Sequence, residues 1–93
     1  TTDMAYDSAT LLTGQSLVIM PSSSADHWII HNVVLPFGST CEIYWTDGTN
    51  TILIMNTSTS LLSYNFHVNT SSYYTVKNIG TSSINVSYDG VIV

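Results

Sequence analysis

Arginine is absent from this 93-residue chain, and lysine occurs once, at Lys77. Six Asp and Glu face that single base, leaving a formal net charge of -5. Nucleic acid is thereby excluded as a partner, because neutralising phosphates takes several Lys or Arg along a groove or stripe. An anionic membrane surface is disfavoured on the same ground. Polyphosphate substrates fit poorly too, since no glycine-rich loop precedes Lys77, which sits in a strand-like run. Long apolar runs are also missing. The longest candidates, 28–30 and 33–37, are interrupted by Asn32 and Pro36, well short of the roughly 18–20 residues of a helical span. Residues 1–4 lack the basic and apolar regions of a secretory leader, so none is expected. A lone cysteine, Cys41, cannot close an internal disulfide. Stability must come from the core or from oligomerisation, and a reducing cytoplasm is the expected folding compartment.

What fills the chain instead is neutral. Thr, Ser and Asn make up 34 of the 93 residues, while 44% are hydrophobic and 11% aromatic. Disordered chains are poor in aromatic and β-branched residues, so a folded domain is expected. At this length it is a single domain.

The recurring hydrophobic period is two, the mark of half-buried strands. Leu17 and Ile19 alternate with Val18 and Met20. In 27–35, Trp28, Ile30, Asn32 and Val34 share one face, and His27, Ile29, His31 and Val33 the other. Cys41, Ile43 and Trp45 alternate with Glu42 and Tyr44. Asp47-Gly48 predicts a tight hairpin, because glycine accepts the positive φ such turns require, and 51–55 is the returning strand. Tyr64, Phe66 and Val68 alternate with Asn65, His67 and Asn69; 73–79 and 84–88 are further strands. Asp89-Gly90 is expected to turn the chain before a last strand at 91–93. About eight short strands at roughly ten-residue spacing predict an all-β fold, an antiparallel β-sandwich or jelly roll. Residues 1–8 show no alternation and are expected to form an N-terminal arm, leaving 9–93 as the sandwich domain. With almost no lysine to guard strand edges, some edges are expected to be covered by neighbouring subunits.

Catalytic constellations are hard to assemble. His27 and His31 share a strand face, but at about 3.3 Å per residue their Cα atoms lie about 13 Å apart, too far to chelate one ion. His67 can approach either one. Asp26, Asp47 and Asp89 read as turn formers. No G-x-S-x-G elbow accompanies the many serines. Cys41 lies on the apolar face and reads as a small hydrophobe. Glu42 is the single glutamate, so a carboxylate pair for sugar hydrolysis is not evident. The chain is therefore expected to be no enzyme and to hold no metal and no cofactor. Asn56-Thr57-Ser58, Asn69-Thr70-Ser71 and Asn85-Val86-Ser87 match the glycosylation sequon, as chance allows in so Asn- and Ser-rich a chain. Most aromatics are expected in the core. Tyr44 and Tyr73, off the main alternating face, are the candidates for a binding patch.

The stretch Glu42-Ile43-Tyr44-Trp45-Thr46-Asp47-Gly48, then Tyr73-Tyr74-Thr75-Val76-Lys77-Asn78-Ile79-Gly80-Thr81 and Ile84-Asn85-Val86-Ser87-Tyr88-Asp89-Gly90-Val91 resembles the small β-sandwich capsid decoration (cement) proteins of tailed bacteriophages. The likeness spans roughly residues 40–93. It implies a structural protein of the virion, made in the host cytoplasm and placed on the capsid exterior. Trimers or dimers would clamp the major capsid protein and their sister subunits. The N-terminal arm, with Thr1, Thr2, Asp3, Met4, Ala5 and Tyr6, would be the docking segment, beside Tyr44 and Tyr73. A second reading is a carbohydrate- or receptor-binding β-module of a phage fibre, baseplate or adhesin. A third, a metal-dependent enzyme, requires the three histidines to converge.

Overall fold

The computed structural model describes residues 4–36, 38–57, 61–62 and 65–93. Among these residues nine strands follow one another: β1 (Met4–Leu11), β2 (Ser16–Ile19), β3 (Trp28–Val34), β4 (Cys41–Thr46), β5 (Thr51–Thr57), β6 (Leu61–Leu62), β7 (Phe66–Val68), β8 (Tyr73–Asn78) and β9 (Ile84–Ile92). No helix occurs among the described residues. The strands form two antiparallel sheets. One runs β1-β9-β3-β6, with β7 also paired to β3; the other runs β2-β8-β4-β5. The fold is an all-β antiparallel sandwich. Its thinnest dimension, 19 Å, matches two sheets packed about 10 Å apart with their outer side chains.

Alternation places the core between the sheets. Leu17 and Ile19 of β2, Cys41 and Ile43 of β4 and Val76 of β8 face Ile30 and Val33 of β3, Val68 of β7 and Val86 of β9. Each large aliphatic side chain so removed from water contributes about 1.5–3 kcal/mol. In β3 the alternation does not run straight through. Ile30 and Val33 are both buried although three residues apart, and Val34 is 41% exposed. The register against β9 jumps from Ile30↔Gly90 to Asn32↔Asp89. His31 is the extra residue of a β-bulge, which resets which side chains face inward. The expected grouping of Trp28, Ile30, Asn32 and Val34 on one face therefore breaks at His31.

Two further segments differ from their sequence reading. Residues 4–8, assigned above to an arm, belong to β1, which pairs with β9 over eight residues from Met4↔Val91 to Leu11↔Ile84. Ala5 and Leu11 are its buried anchors, while the residues between face outward or lie partly exposed, so the strand carries little alternation. Thr1, Thr2 and Asp3 lie outside the described residues. Asp89-Gly90 is not a turn but the interior of β9. A Cβ on Gly90 would fall on the carbonyl oxygen of Ile29 and lie 2.7 Å from Ile30 Cα. Glycine stands there because β3 approaches too closely for any side chain. The segment 91–93 is consequently the continuation of a strand paired on both sides, Met4↔Val91 with β1 and Trp28↔Ile92 with β3. It is no edge.

The Asp47-Gly48 hairpin is as expected. Gly48 has a φ of 89°, and Asp47 Oδ1 accepts from the backbone N–H of Asn50 at 2.7 Å and of Thr49 at 3.0 Å. These bonds, Asn50's first, hold the Asp47 carboxyl below its ordinary value. A carboxyl depressed in the folded state contributes stability above its unfolded pKa and loses it as pH falls through the folded one. Acidification should therefore lower the urea midpoint of the native chain more than that of Asp47→Asn; equal losses in both would show that the turn is not the sensitive element.

Lys77 lies inside β8, opposite Ser16 of β2 and Glu42 of β4. Asn78 follows it, fully buried. Its Nδ2 donates to the carbonyls of Leu11 at 3.0 Å and Ser82 at 2.9 Å, and its Oδ1 accepts from Gly80 N–H at 2.9 Å. One side chain thus ties the end of β1 to the β8–β9 connection.

Candidate functional site

The longest run of consecutive exposed large apolar residues among those described lies on β5. It is the last strand of its sheet and pairs with β4 alone among the described strands. The run Ile52-Leu53-Ile54-Met55 does not alternate, so apolar groups point to both faces. Ile52, Leu53 and Ile54 are 52%, 48% and 42% exposed. The register against β4 passes from Ile43↔Met55 to Tyr44↔Leu53, leaving Ile54 as a bulged residue. The outer edge of β5 adds backbone N–H and C=O groups that no described strand takes up. Such an edge is a template for pairing with another chain. An uninterrupted apolar run reads from sequence as a strand buried on both sides, which is why its exposure was not foreseen.

Across the outer face of the same sheet the register aligns Val18 with Thr75, Thr75 with Tyr44 and Tyr44 with Leu53. Val18 and Leu53, at its two ends, are 47% and 48% exposed, with the hydroxyls of Thr75 and Tyr44 between them. Tyr44 donates its hydroxyl to Glu42 Oε1 at 2.9 Å. That bond, with some desolvation and the nearby negative charge, raises the phenol's pKa. Tyr73 lies opposite Thr46, two rungs along from the Tyr44–Thr75 pair, and packs against the core. The two tyrosines are thus near one another in register, but one is tied to a carboxylate and the other is partly sunk.

On the other sheet, Met4 is 58% and Tyr6 is 75% exposed along β1, while Ala5 is buried. Of the expected docking residues, Met4 and Tyr6 therefore present their side chains and Ala5 does not.

A groove of about 630 Å³ opens at one end of the sandwich, lined by Ser39, Thr40, Thr81, Ser82 and Ser83 with Asn78 at its wall. Its described lining includes no acid, base or thiol. Cys41 is buried nearby in the chain, its thiol pushed up by desolvation and only partly relieved by a hydrogen bond with Ser39. A thiol so held is a poor nucleophile.

The histidines do not converge as three. His27 Nε2 lies 3.0 Å from His67 Nδ1, while His31 Nδ1 contacts Asn65 Oδ1 at 3.1 Å. Among the described residues no group of three or more His, Cys, Asp or Glu is placed to hold a metal ion.

No family model and no curated protein matches this chain. Its fold does resemble solved structures. The nucleoplasmin-like N-terminal domain of Drosophila FKBP39 superposes with a TM-score of 0.58 at 8% identity, over 97% of this chain and 91% of that one. The Drosophila NLP core, whose structure is described as bearing on pentamer formation and histone binding, gives a TM-score of 0.55 at 16% identity, over 95% and 97%. At these identities the likeness shows a nucleoplasmin-like sandwich fold.

The likeness corrects the resemblance drawn from the sequence. The structural neighbours are nucleoplasmin-like domains of Drosophila proteins, not bacteriophage capsid decoration proteins. The expectation of a virion structural protein on the capsid exterior, bound to the major capsid protein, falls with it. The neighbour that assembles is described as a pentamer that binds histones, not as a trimer or dimer on a capsid. The carbohydrate- or receptor-binding alternative gains no support either, since Tyr44 and Tyr73 form no free aromatic platform. The turn-and-strand style behind the resemblance is common to small antiparallel sandwiches and does not single out one family.

Proposed function

We propose that this chain is a non-enzymatic, self-assembling β-sandwich whose oligomer binds a basic protein partner. The observation that carries the reading is the β5 edge, with three consecutive large apolar residues about half exposed beside an edge that no described strand pairs. A stable interface buries about 800 Å² per partner, roughly 15% of this chain's 5256 Å² surface. The β5 edge and the Val18–Leu53 band offer a contiguous start on that area. Covering it in an oligomer supplies the edge protection that lysine does not provide here.

The partner's chemistry follows from charge. Each copy carries -5 with one basic residue, and assembly multiplies that charge on one particle. Such a field attracts basic surfaces and repels acidic ones. A nucleoplasmin-like neighbour described in terms of pentamers and histone binding supports the same reading.

Light scattering tests assembly. The native chain should run at a multiple of its 10.2 kDa mass, near 51 kDa if five copies assemble. Ile52→Lys with Ile54→Lys should give a folded monomer, because a charge at each position must desolvate on assembly. A native monomer at micromolar concentration would sink the assembly reading. Core histones serve as the probe for the partner. Binding should weaken steeply with salt, as screening demands, and no binding at low salt would remove the partner half of the proposal.

A further inference from the structure

We infer that His27 and His67 form a two-histidine site for a divalent transition-metal ion, on the outer face of the β3–β7 pair. β7 sets His67 opposite Ile29, and His27 stands two residues before that position, immediately ahead of β3. The two rings therefore meet on a diagonal across the strand pair. Their nearest nitrogens, Nε2 of His27 and Nδ1 of His67, are 3.0 Å apart, and the ring centroids 5.2 Å.

That spacing suits chelation. Two imidazole nitrogens on a tetrahedral ion with bonds of about 2.0–2.1 Å stand about 3.3 Å apart. On a square-planar ion they stand about 2.9 Å apart. The observed 3.0 Å lies between the two, so the nitrogens need hardly change separation, while each ring turns by about 35–45° to aim its lone pair at the ion instead of at the other ring. Without metal, one ring donates an N–H to the other. A neutral imidazole carries its proton on either ring nitrogen, so moving it to the far nitrogen turns both lone pairs inward with no change of charge. His67 is exposed and His27 half-buried, which leaves the remaining coordination positions to water.

His31 lies outside the site. Its Nδ1 contacts Asn65 Oδ1 at 3.1 Å instead of either of the other two rings. Imidazole donors suit copper, nickel and zinc, with Cu²⁺ bound more tightly than Zn²⁺, and are poor ligands for Mg²⁺. The site does not depend on assembly or on a basic partner.

The test is calorimetric titration of the whole chain with Cu²⁺, Zn²⁺ and Mg²⁺ in separate runs. The expected result is one Cu²⁺ per chain, weaker Zn²⁺ and no Mg²⁺. Both His27→Asn and His67→Asn should lose this binding, and His31→Asn should keep it. Electron paramagnetic resonance of the Cu²⁺-loaded native chain should show two imidazole nitrogens, a readout that needs no variant to fold. Absence of Cu²⁺ binding, survival of binding in His67→Asn, loss in His31→Asn, or fewer than two coordinated imidazoles would each overturn the assignment.

Discussion

Gly90→Ala should cost the fold about 3 kcal/mol or more. The added methyl has nowhere to go. It would fall on the carbonyl oxygen of Ile29, 2.7 Å from Ile30 Cα and 2.9 Å from Ile29 C. All three are backbone atoms, so no rotamer change relieves the clash. β3 must move away from β9, and β9 is the strand that joins β1 to β3 in the larger sheet. A domain of this size has roughly 5–14 kcal/mol in total, and each kcal/mol is worth about 4–8 °C. The melting temperature should therefore fall by about 15 °C or more, or the variant should fail to fold. Gly80→Ala is the control. There the nearest atom is a side-chain oxygen, Asn78 Oδ1, at 3.3 Å, which need give by only a few tenths of an ångström, so the change should cost about 1 kcal/mol. Thermal melts of the two variants decide the matter. If Gly90→Ala melts with the native chain, β3 and β9 do not approach as described.

Asn78→Ala should cost about 3 kcal/mol, through a different cause. The truncation removes no strand pairing. It leaves the Leu11 and Ser82 carbonyls and the Gly80 N–H without the partner they now share, and opens a hole where nothing is exposed. A buried group left unpaired costs about 1–3 kcal/mol. Asn78→Asp separates the hydrogen bonds from the volume. It retains the acceptor for Gly80 but loses both donors and sets a carboxylate against two carbonyl oxygens. Its acid form is therefore favoured in the folded state, which raises the folded pKa. The destabilisation should be greatest near neutral pH and shrink on acidification, opposite in sign to the effect at Asp47. Chemical denaturation of both variants across pH provides the check. A penalty for Asn78→Asp that does not change with pH would mean the side chain is solvated and the latch is open.

Both residues show where local reasoning stops. Asp-Gly is a strong turn signal, and at Asp47-Gly48 it was right, because the turn is made by the residues that announce it. At Asp89-Gly90 the same pair sits inside a strand. The reason for glycine there is the approach of β3, some sixty residues earlier in the chain, which no local pattern carries. Cys41 and Ile43 were legible because β4 alternates as far as Ile43; beyond it Thr46 is buried and Trp45, expected on the same face, is only half-buried. The inward face of β3 was legible only as far as Ile30, since one inserted residue at His31 inverts every later assignment. β1 escaped notice because its buried anchors, Ala5 and Leu11, are six residues apart with mostly exposed neighbours between them. The histidine pair was half visible. His27 and His31 were rightly separated as strand neighbours, and His67 was free to approach either. Its choice of His27 is set by the β3–β7 register, which the sequence does not spell out. The exposed β5 edge was hidden by its own composition, because an apolar run suggests burial.

Lys77 has a consequence of another kind. With no arginine present, its peptide bond is the single place in these 93 residues where trypsin can cut. The strand that holds it is flanked by β2 on one side and β4 on the other, so the bond is locked in the middle of a sheet. A protease cannot thread an interior strand through its cleft. Cleavage therefore waits for the sheet to come apart, and fraying at the chain's loops goes unrecorded. The shortage of basic residues leaves the molecule with one built-in gauge of its own global opening, read as a cut or an intact chain.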